Sequence, residues 1–239
     1  MERIMSAGKT LVITGASKGI GLAAAKTFLD DGYRVINLSR TPAPDGRIEN
    51  HAIDLSFSDA EEQVSELMGL LLSEGEICLV HNAAKMSNDS AKDATTDGLR
   101  DILNINVVAP HILNQAVLPF MGQGSSIIYL GSTLSEKAVA NTYSYVTSKH
   151  AIVGMMRATC QDLAGTGIHT VCVCPGFTDT EMLREHVGED ADVLSHIASL
   201  STFNRLVTPD EIAQSIFFCA KNPVINGAVM HTNLGQVES

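Results

Sequence analysis

Two residues in the second half of the chain have the types and spacing for moving a proton. Tyr145 and Lys149 lie four apart in a stretch, 141–163, with helical patterning. At ~100° per residue they share one helix face, one turn from each other. A free phenol, with a pKa of ~10, is a poor base at pH 7, and the gap amounts to ~4 kcal/mol. A cation held nearby favours the phenolate and lowers that cost. Ser132 precedes Tyr145 by 13 residues and carries a hydroxyl able to orient a substrate oxygen. Each also has a plainer reading: a packed aromatic, a solvated helix charge, a loop hydroxyl capping backbone. Tyr143 is a decoy, because its i+4 residue, Thr147, carries no charge.

A second group has the types for binding an anion. The first apolar run, 11–13, leads into Thr14-Gly15-Ala16-Ser17-Lys18-Gly19-Ile20-Gly21. Missing side chains let the backbone turn tightly and let a pyrophosphate approach the N-terminus of the following helix, where N–H groups and the dipole favour anions. The spacing is neither G-x-G-x-x-G nor a P-loop, so a tight strand-to-helix turn is the alternative on glycines alone. The second apolar run ends at Ser39-Arg40. A dinucleotide fold places an acid near this point to hold the adenosine ribose; here the side chains are small and neutral, then cationic. A guanidinium forks onto a 2′-phosphate that a carboxylate would repel. With Lys18 as a second cation, the pair favours NADP(H) over NAD(H). Taken singly, each is a solvated surface charge.

Other constellations fail. No H-E-x-x-H occurs among the eight histidines. Cys172 and Cys174 are expected on opposite faces of a strand over 170–174, which is poor metal geometry and reads as core. His51, His81 and His231 fall at strand ends and need no role.

The elements that must position these groups alternate. Strand-like runs occur at 11–13, 35–38, 51–54, 77–80, 127–130, 170–174 and 228–231. Helical patterning covers 19–31, 58–73, a run from Leu99 towards Pro119, and 141–163. Thr208-Pro209-Asp210-Glu211 has a helix-start signature with a capping box. Strands apolar on both faces and separated by helices mean a parallel sheet covered on both sides. No boundary interrupts the pattern, so 1–239 is expected to be one domain.

The 239 residues carry 16 Lys+Arg against 27 Asp+Glu, a net charge of −11, which excludes a nucleic-acid or anionic-membrane surface. Hydrophobic residues make up 45% and charged residues 18%, an ordinary globular balance. Residues 1–10 are too polar for a signal peptide, and no apolar run is long enough to span a bilayer. The five cysteines are an odd count, so free thiols in the cytoplasm are expected.

Three further stretches complete a pattern: Asn82-Ala83-Ala84 after the fourth run, Ser132 after the fifth, and Tyr145-Val146-Thr147-Ser148-Lys149. With the glycine turn, in this order, they resemble the short-chain dehydrogenase/reductase family over about 10–235. The resemblance implies an α/β Rossmann-type doubly wound parallel sheet of about seven strands, with helices on both faces in three layers. It implies Tyr145 as general acid/base, Lys149 as its partner and a ribose ligand, Ser132 orienting the carbonyl, and Asn106 positioning a water in the proton relay. Cofactor contacts carried over by position are Gly15, Ser17, Lys18, Gly19, Ile20, Gly21, Ser39, Arg40, the pair Asp54-Leu55, Asn82, Ala83, Ala84, and Pro175-Gly176-Phe177-Thr178 with Thr180. A substrate loop is expected at about 177–205.

Two departures stand out. His81-Asn82-Ala83-Ala84 replaces the usual Asn-Asn-Ala-Gly, and Thr232-Asn233-Leu234-Gly235 replaces an aspartate and paired glycines. The expectation is therefore an NADP(H)-dependent carbonyl reductase or alcohol dehydrogenase, working as a homodimer or homotetramer. The alternatives are a 3-oxoacyl-carrier-protein reductase and, from another class, a non-catalytic NADP(H) sensor. A nucleotide-sugar epimerase has too little chain for a sugar-binding lobe.

Overall fold

The apolar runs form seven strands in a computed structural model that describes residues 8–237. Residues 1–7, most of the polar segment read as lacking a signal peptide, lie outside the described residues. The strands are β1 (Thr10–Thr14), β2 (Arg34–Ser39), β3 (Glu49–Ala52), β4 (Ile77–His81), β5 (Ser126–Leu130), β6 (His169–Pro175) and β7 (Val229–Thr232). All neighbours pair in parallel, in the order β3-β2-β1-β4-β5-β6-β7. The helices are α1 (Gly19–Asp30), α2 (Ala60–Leu71), α3 (Thr96–Leu103), α4 (Ala109–Val117), α5 (Tyr143–Asp162), α6 (Glu181–Val187), α7 (Ala191–Ser199) and α8 (Pro209–Lys221).

Alternation along each strand divides the core in two. Leu11 and Ile13 face one layer, with Ala24 and Phe28 of α1 and Ile212 and Ile216 of α8. Val12 faces the other, with Val64 and Met68 of α2, Leu113 of α4 and Ile152 and Met156 of α5. This is the expected three-layer Rossmann-type arrangement. Phe28 is fully buried, a burial that contributes about 1.5–3 kcal/mol, and its ring meets Phe217 edge-on at 5.1 Å. The start of α8 follows the sequence signature. Thr208 Oγ1 accepts from Glu211 N, and Glu211 Oε2 accepts from Thr208 N, a reciprocal cap that satisfies donors the helix cannot.

Two expectations are corrected. Cys172 and Cys174 do not lie on opposite faces of β6. Residues two apart on a strand share a face, so both belong to the α5-side core while Val173 belongs to the other, and their sulfurs are 3.8 Å apart. The helix expected from Leu99 towards Pro119 is not continuous: a π-helical turn, Asn104–Val108, separates α3 from α4. Among the described residues, no helix is long and apolar enough to cross a membrane.

The strand order reverses between β1 and β4. In an open parallel sheet the crevice at such a switch point, at the carboxyl ends of the strands, is where a ligand binds.

Candidate active site

Every expected site segment follows a strand's carboxyl end or lies on a helix packed beside it. The glycine turn follows β1, Arg40 follows β2, Asp54 follows β3, Asn82 follows β4, Ser132 follows β5, and Gly176 follows β6.

The anion cradle is built by backbone. Gly15 and Gly19 have φ of 70° and 55°, a region side chains disfavour. A Cβ on Gly21 would stand 2.3 Å from Gly15 O, so only glycine closes this turn. Lys18, the N-cap of α1, makes no side-chain cap bond, which leaves the first-turn N–H groups open to an anion. These features fit the pyrophosphate of a dinucleotide.

Side chains from three strands hold the cradle in shape. Thr14 Oγ1 accepts from Asn82 N and Ala83 N, at 3.1 and 2.9 Å, and Asn82 Nδ2 donates to Thr14 O and Gly15 O. Asn37, fully buried in β2, accepts from Ala16 N through Oδ1 and donates through Nδ2 to Ser39 Oγ and Asn50 Oδ1. Neither Thr14 nor Asn37 was among the expected site residues. A lone amide in the apolar run Val35–Ile36–Asn37–Leu38 was the available signal for Asn37.

The outer end of the cradle is charged and open. Arg40 is exposed. Asp54 accepts from Ser56 N and Ser56 Oγ, and those bonds, with Arg40 nearby, hold its carboxyl below the usual range. Leu55 is buried in the α5-side core. Lys18 Nζ is 3.0 Å from Glu185 Oε1 on α6. The expected substrate loop contains α6 and α7. Backbone bonds pin its two ends together: Val207 N donates to Phe177 O and Asp179 N to Val207 O, both at 2.9 Å. Thr178 Oγ1 donates to Gly176 O, and Thr180 caps α6 by accepting from Leu183 N. A Cβ on Gly176 would stand 2.8 Å from Asn233 Cβ, so the C-terminal departure from the usual pattern abuts the segment expected at the nicotinamide end.

The groups expected to handle the proton are, by contrast, enclosed. Tyr145, Lys149, Ile152, Val153 and Met156 form the inward stripe of α5. Lys149 is 4% exposed, and its Nζ donates to Leu130 O, at the end of β5, at 2.7 Å. The ammonium lies 5.5 Å from the Tyr145 ring centroid. Ser132 is extended and begins a one-turn helix. Its Oγ accepts from Leu134 N, and its N–H donates to Ser135 Oγ, which leaves the Ser132 hydroxyl hydrogen to donate outward.

Asn106 lies in the π-helical turn and is buried. Its Oδ1 accepts from Lys85 N, and its Nδ2 donates to Lys85 O and Ser148 Oγ, all at 2.8–2.9 Å. Ser148 Oγ donates in turn to Tyr145 O. With both amide hydrogens engaged, Asn106 joins the segment after β4 to α5. Ser135 and Ser148 complete these contacts.

Tyr143 is exposed, as befits a decoy. His51 and His231 pair with Glu49 and Glu136. His81 Nε2–H donates to Asn114 Oδ1, while its Nδ1 is buried without a partner among the described residues. Burial pulls its pKa down to about 4, so the ring is neutral at physiological pH.

Residues 15–236 match a family profile described as enoyl-(acyl carrier protein) reductase. The 3-oxoacyl-[acyl-carrier-protein] reductase FabG of Vibrio harveyi is 28% identical over 95% of this chain and 97% of its own. A short chain dehydrogenase family protein from Francisella tularensis subsp. tularensis SCHU S4 superposes with a TM-score of 0.88 at 25% identity, covering 95% of this chain and 98% of that one. ElxO, solved with NADP bound, superposes with a TM-score of 0.84 at 25% identity, over 95% of this chain and 98% of its own. A profile spanning nearly the whole chain, relatives aligned end to end, and a seven-stranded parallel sheet agree: the chain belongs to the short-chain dehydrogenase/reductase family, and is an oxidoreductase acting on a CH–OH or ketone group with a nicotinamide cofactor.

Proposed function

We propose that this enzyme is an NADP(H)-dependent carbonyl reductase, or alcohol dehydrogenase in reverse, with Tyr145 as general acid/base. The observation that carries the reading is the enclosed Lys149, anchored on Leu130 O with its ammonium 5.5 Å from the Tyr145 ring. Burying a lysine is costly unless its charge has a use or a partner, and the phenol is the group beside it that gains from it.

The bound nicotinamide supplies or accepts the hydride. Ser132 Oγ–H donates to the carbonyl oxygen and fixes its orientation. Tyr145 Oη protonates that oxygen in reduction and deprotonates the alcohol in oxidation. The Lys149 ammonium stabilises negative charge developing on Oη. Asn106, through Ser148, holds the turn of α5 from which Tyr145 projects. Gly15, Ser17, Gly19, Ile20, Gly21, Asn82, Ala83 and Ala84 line the dinucleotide path, with Asp54 and Leu55 at the adenine. Pro175, Gly176, Phe177, Thr178 and Thr180 are taken to hold the nicotinamide end, and the α6–α7 segment to cover the substrate.

The cofactor preference rests on Ser39, Arg40 and Lys18: no acid stands at the end of β2, Arg40 is exposed there, and Lys18 is a second cation, which a 2′-phosphate would have to draw from Glu185. Steady-state kcat/KM for NADPH and NADH tests it, with NADPH oxidation screened over ketones, aldehydes, quinones and a 3-oxoacyl thioester. Wild type is expected to favour NADPH. Arg40→Asp is expected to weaken NADPH by at least about tenfold, because a charge-assisted bond is replaced by repulsion, and to leave NADH little changed. Preference for NADH in the wild type, or an unchanged NADPH Kd in the variant, contradicts the assignment.

A further inference from the structure

The helix that carries Tyr145 and Lys149 is not capped by its own sequence. Thr142, the N-cap of α5, makes no side-chain cap bond; its hydroxyl donates to Val139 O instead. The preceding residue, Asn141, has φ of 62°, so the chain enters the helix through a left-handed kink that needs outside support. The exposed N–H groups of the first turn are met from the segment after β4. Ser144 N donates to Asp89 Oδ1 at 3.0 Å, and Tyr143 N donates to Asp89 O at 3.1 Å. Asp89 N donates back to Asn141 O, also at 3.1 Å. Ser87 Oγ donates to Asp89 Oδ2 and fixes the carboxylate's rotation. One residue thus makes three bonds to 141–144, immediately before Tyr145.

The carboxylate is well suited to this place. Burial alone would raise its pKa, but hydrogen bonds from Ser144 and Ser87 outweigh that and hold it below the ordinary value. Asp89 is therefore charged at neutral pH, and a negative charge is favoured at a helix N-terminus. The other end of the same segment is tied to the cradle, through Asn82 to Thr14 and Gly15. Between the two ends, Lys85 is gripped by Asn106, which also bonds Ser148 on α5. Residues 82–89 thus join the dinucleotide turn to the acid/base helix at three points.

We propose that Asp89 is a positioning residue for catalysis: by capping α5 from a separate segment it sets where Tyr145 stands relative to the cofactor cradle. The inference rests on the acid/base role given to Tyr145. Asp89 itself touches neither the reacting atoms nor the cradle. Loss of its side-chain acceptor frays the first turn, and a displacement of about 1 Å in a reacting group costs on the order of 10²-fold in rate.

The test compares wild type, Asp89→Ala, Asp89→Asn and Tyr145→Phe, assayed with NADPH and the carbonyl compound of highest kcat/KM in the screen above. Asp89→Asn keeps an acceptor oxygen at the same place, so it is expected to retain kcat within about threefold. Asp89→Ala is expected to lose kcat by roughly 10- to 100-fold, with substrate KM and NADPH Kd within about twofold, because neither binding surface is altered. Amide hydrogen exchange gives a readout that needs no substrate. Peptides covering 141–150 should exchange faster in Asp89→Ala and as slowly as wild type in Asp89→Asn, while peptides from β1 and β4 are unchanged. Equal exchange of 141–150 in Asp89→Ala and wild type overturns the inference. So does a general speeding of exchange across the sheet, which marks Asp89 as a plain stability residue. An active Tyr145→Phe would sink the acid/base reading itself, and is distinguishable because exchange at 141–150 does not depend on it.

Discussion

The two ends of the site are held in different ways. At the proton-handling end, Lys149, Asn106 and Ser148 are buried, and their polar atoms are engaged by fixed partners: Leu130 O, Lys85 and Tyr145 O. At the anion-binding end, Arg40 is exposed and the Lys18–Glu185 pair is about half exposed on the lysine side and more on the acid side. The first arrangement is set before any ligand arrives. The second is a set of mobile charges in high dielectric, where single ion pairs are weak. Proton transfer depends on sub-ångström placement, whereas phosphate recognition tolerates side chains that adjust on binding. Substitutions at the enclosed end should therefore act on rate, and substitutions at the open end on affinity.

The largest effect belongs to the enclosed end. Tyr145→Phe removes one oxygen and keeps the ring in its place on α5. General acid/base catalysis contributes about 10²–10⁴-fold, so kcat should fall by roughly 10³-fold, with NADPH Kd within about twofold of wild type. Stopped-flow turnover and equilibrium binding measure the two quantities. If Kd moved as much as kcat, the division between a rate end and an affinity end would be lost.

What the sequence displayed of this division was its local part. Tyr145 with Lys149, and Gly15 with Gly19 and Gly21, are patterns within one turn of chain, and alternation of apolar runs led to the parallel sheet. The connections that hold the cradle and the enclosed end in place are not local. Asn37 meets Ala16 across 21 residues, Asn82 meets Thr14 across 68, and Asp89 meets Ser144 across 55. No periodicity encodes such pairs, because each is created by strands becoming neighbours. Asn106 could be read as closing a helix irregularity before Pro110, and the π-helical turn at Asn104–Val108 is that irregularity; its long-range partners, Lys85 and Ser148, leave no mark in the helical spacing. Cys172 and Cys174, by contrast, are legible from spacing alone: residues two apart on a strand share a face, and both thiols lie in the α5-side core.

A smaller effect is on stability and is read by pH. His81 is buried at the end of β4, next to Asn82, with a pKa lowered by burial to about 4 against about 6.5 unfolded. Between those values the unfolded chain takes up a proton that the native ring refuses. Stability therefore falls as pH drops from about 6.5 to about 4, by a few kcal/mol in total, and this group adds no further slope below that. Asp45 and Glu211 are held near 2, by Arg47 and Arg205 respectively, so their contributions persist through this window and are lost only at lower pH. Urea unfolding of wild type and His81→Asn at several values between pH 7 and 4.5 separates these contributions. His81→Asn should flatten the slope while leaving the cofactor Kd unchanged at pH 7. An equal slope in both proteins would show that the ring is not the proton acceptor.

The smallest effect lies at the open end, and it depends on a competition. Lys18 Nζ pairs with Glu185 Oε1, and Glu181, one turn earlier on α6, has Oε2 3.6 Å from where a Cβ on Gly19 would stand. Residues i and i+4 share a helix face, so both carboxylates of α6 are turned toward the cradle that is to receive the dinucleotide's phosphates. Any phosphate that recruits Lys18 must first release it from Glu185 and then tolerate the carboxylate nearby. Glu185→Gln removes the charge and keeps the shape. Because the pair is exposed, its release is worth no more than about a fivefold gain in NADPH affinity, shrinking as salt is raised from 20 to 500 mM because exposed charges are screened. NADH, lacking the 2′-phosphate, should gain less. Fluorescence titration of both cofactors at both salt concentrations resolves the difference. An equal gain for NADH and NADPH would place Lys18 at the pyrophosphate rather than the ribose phosphate, and leave Arg40 alone to discriminate between them.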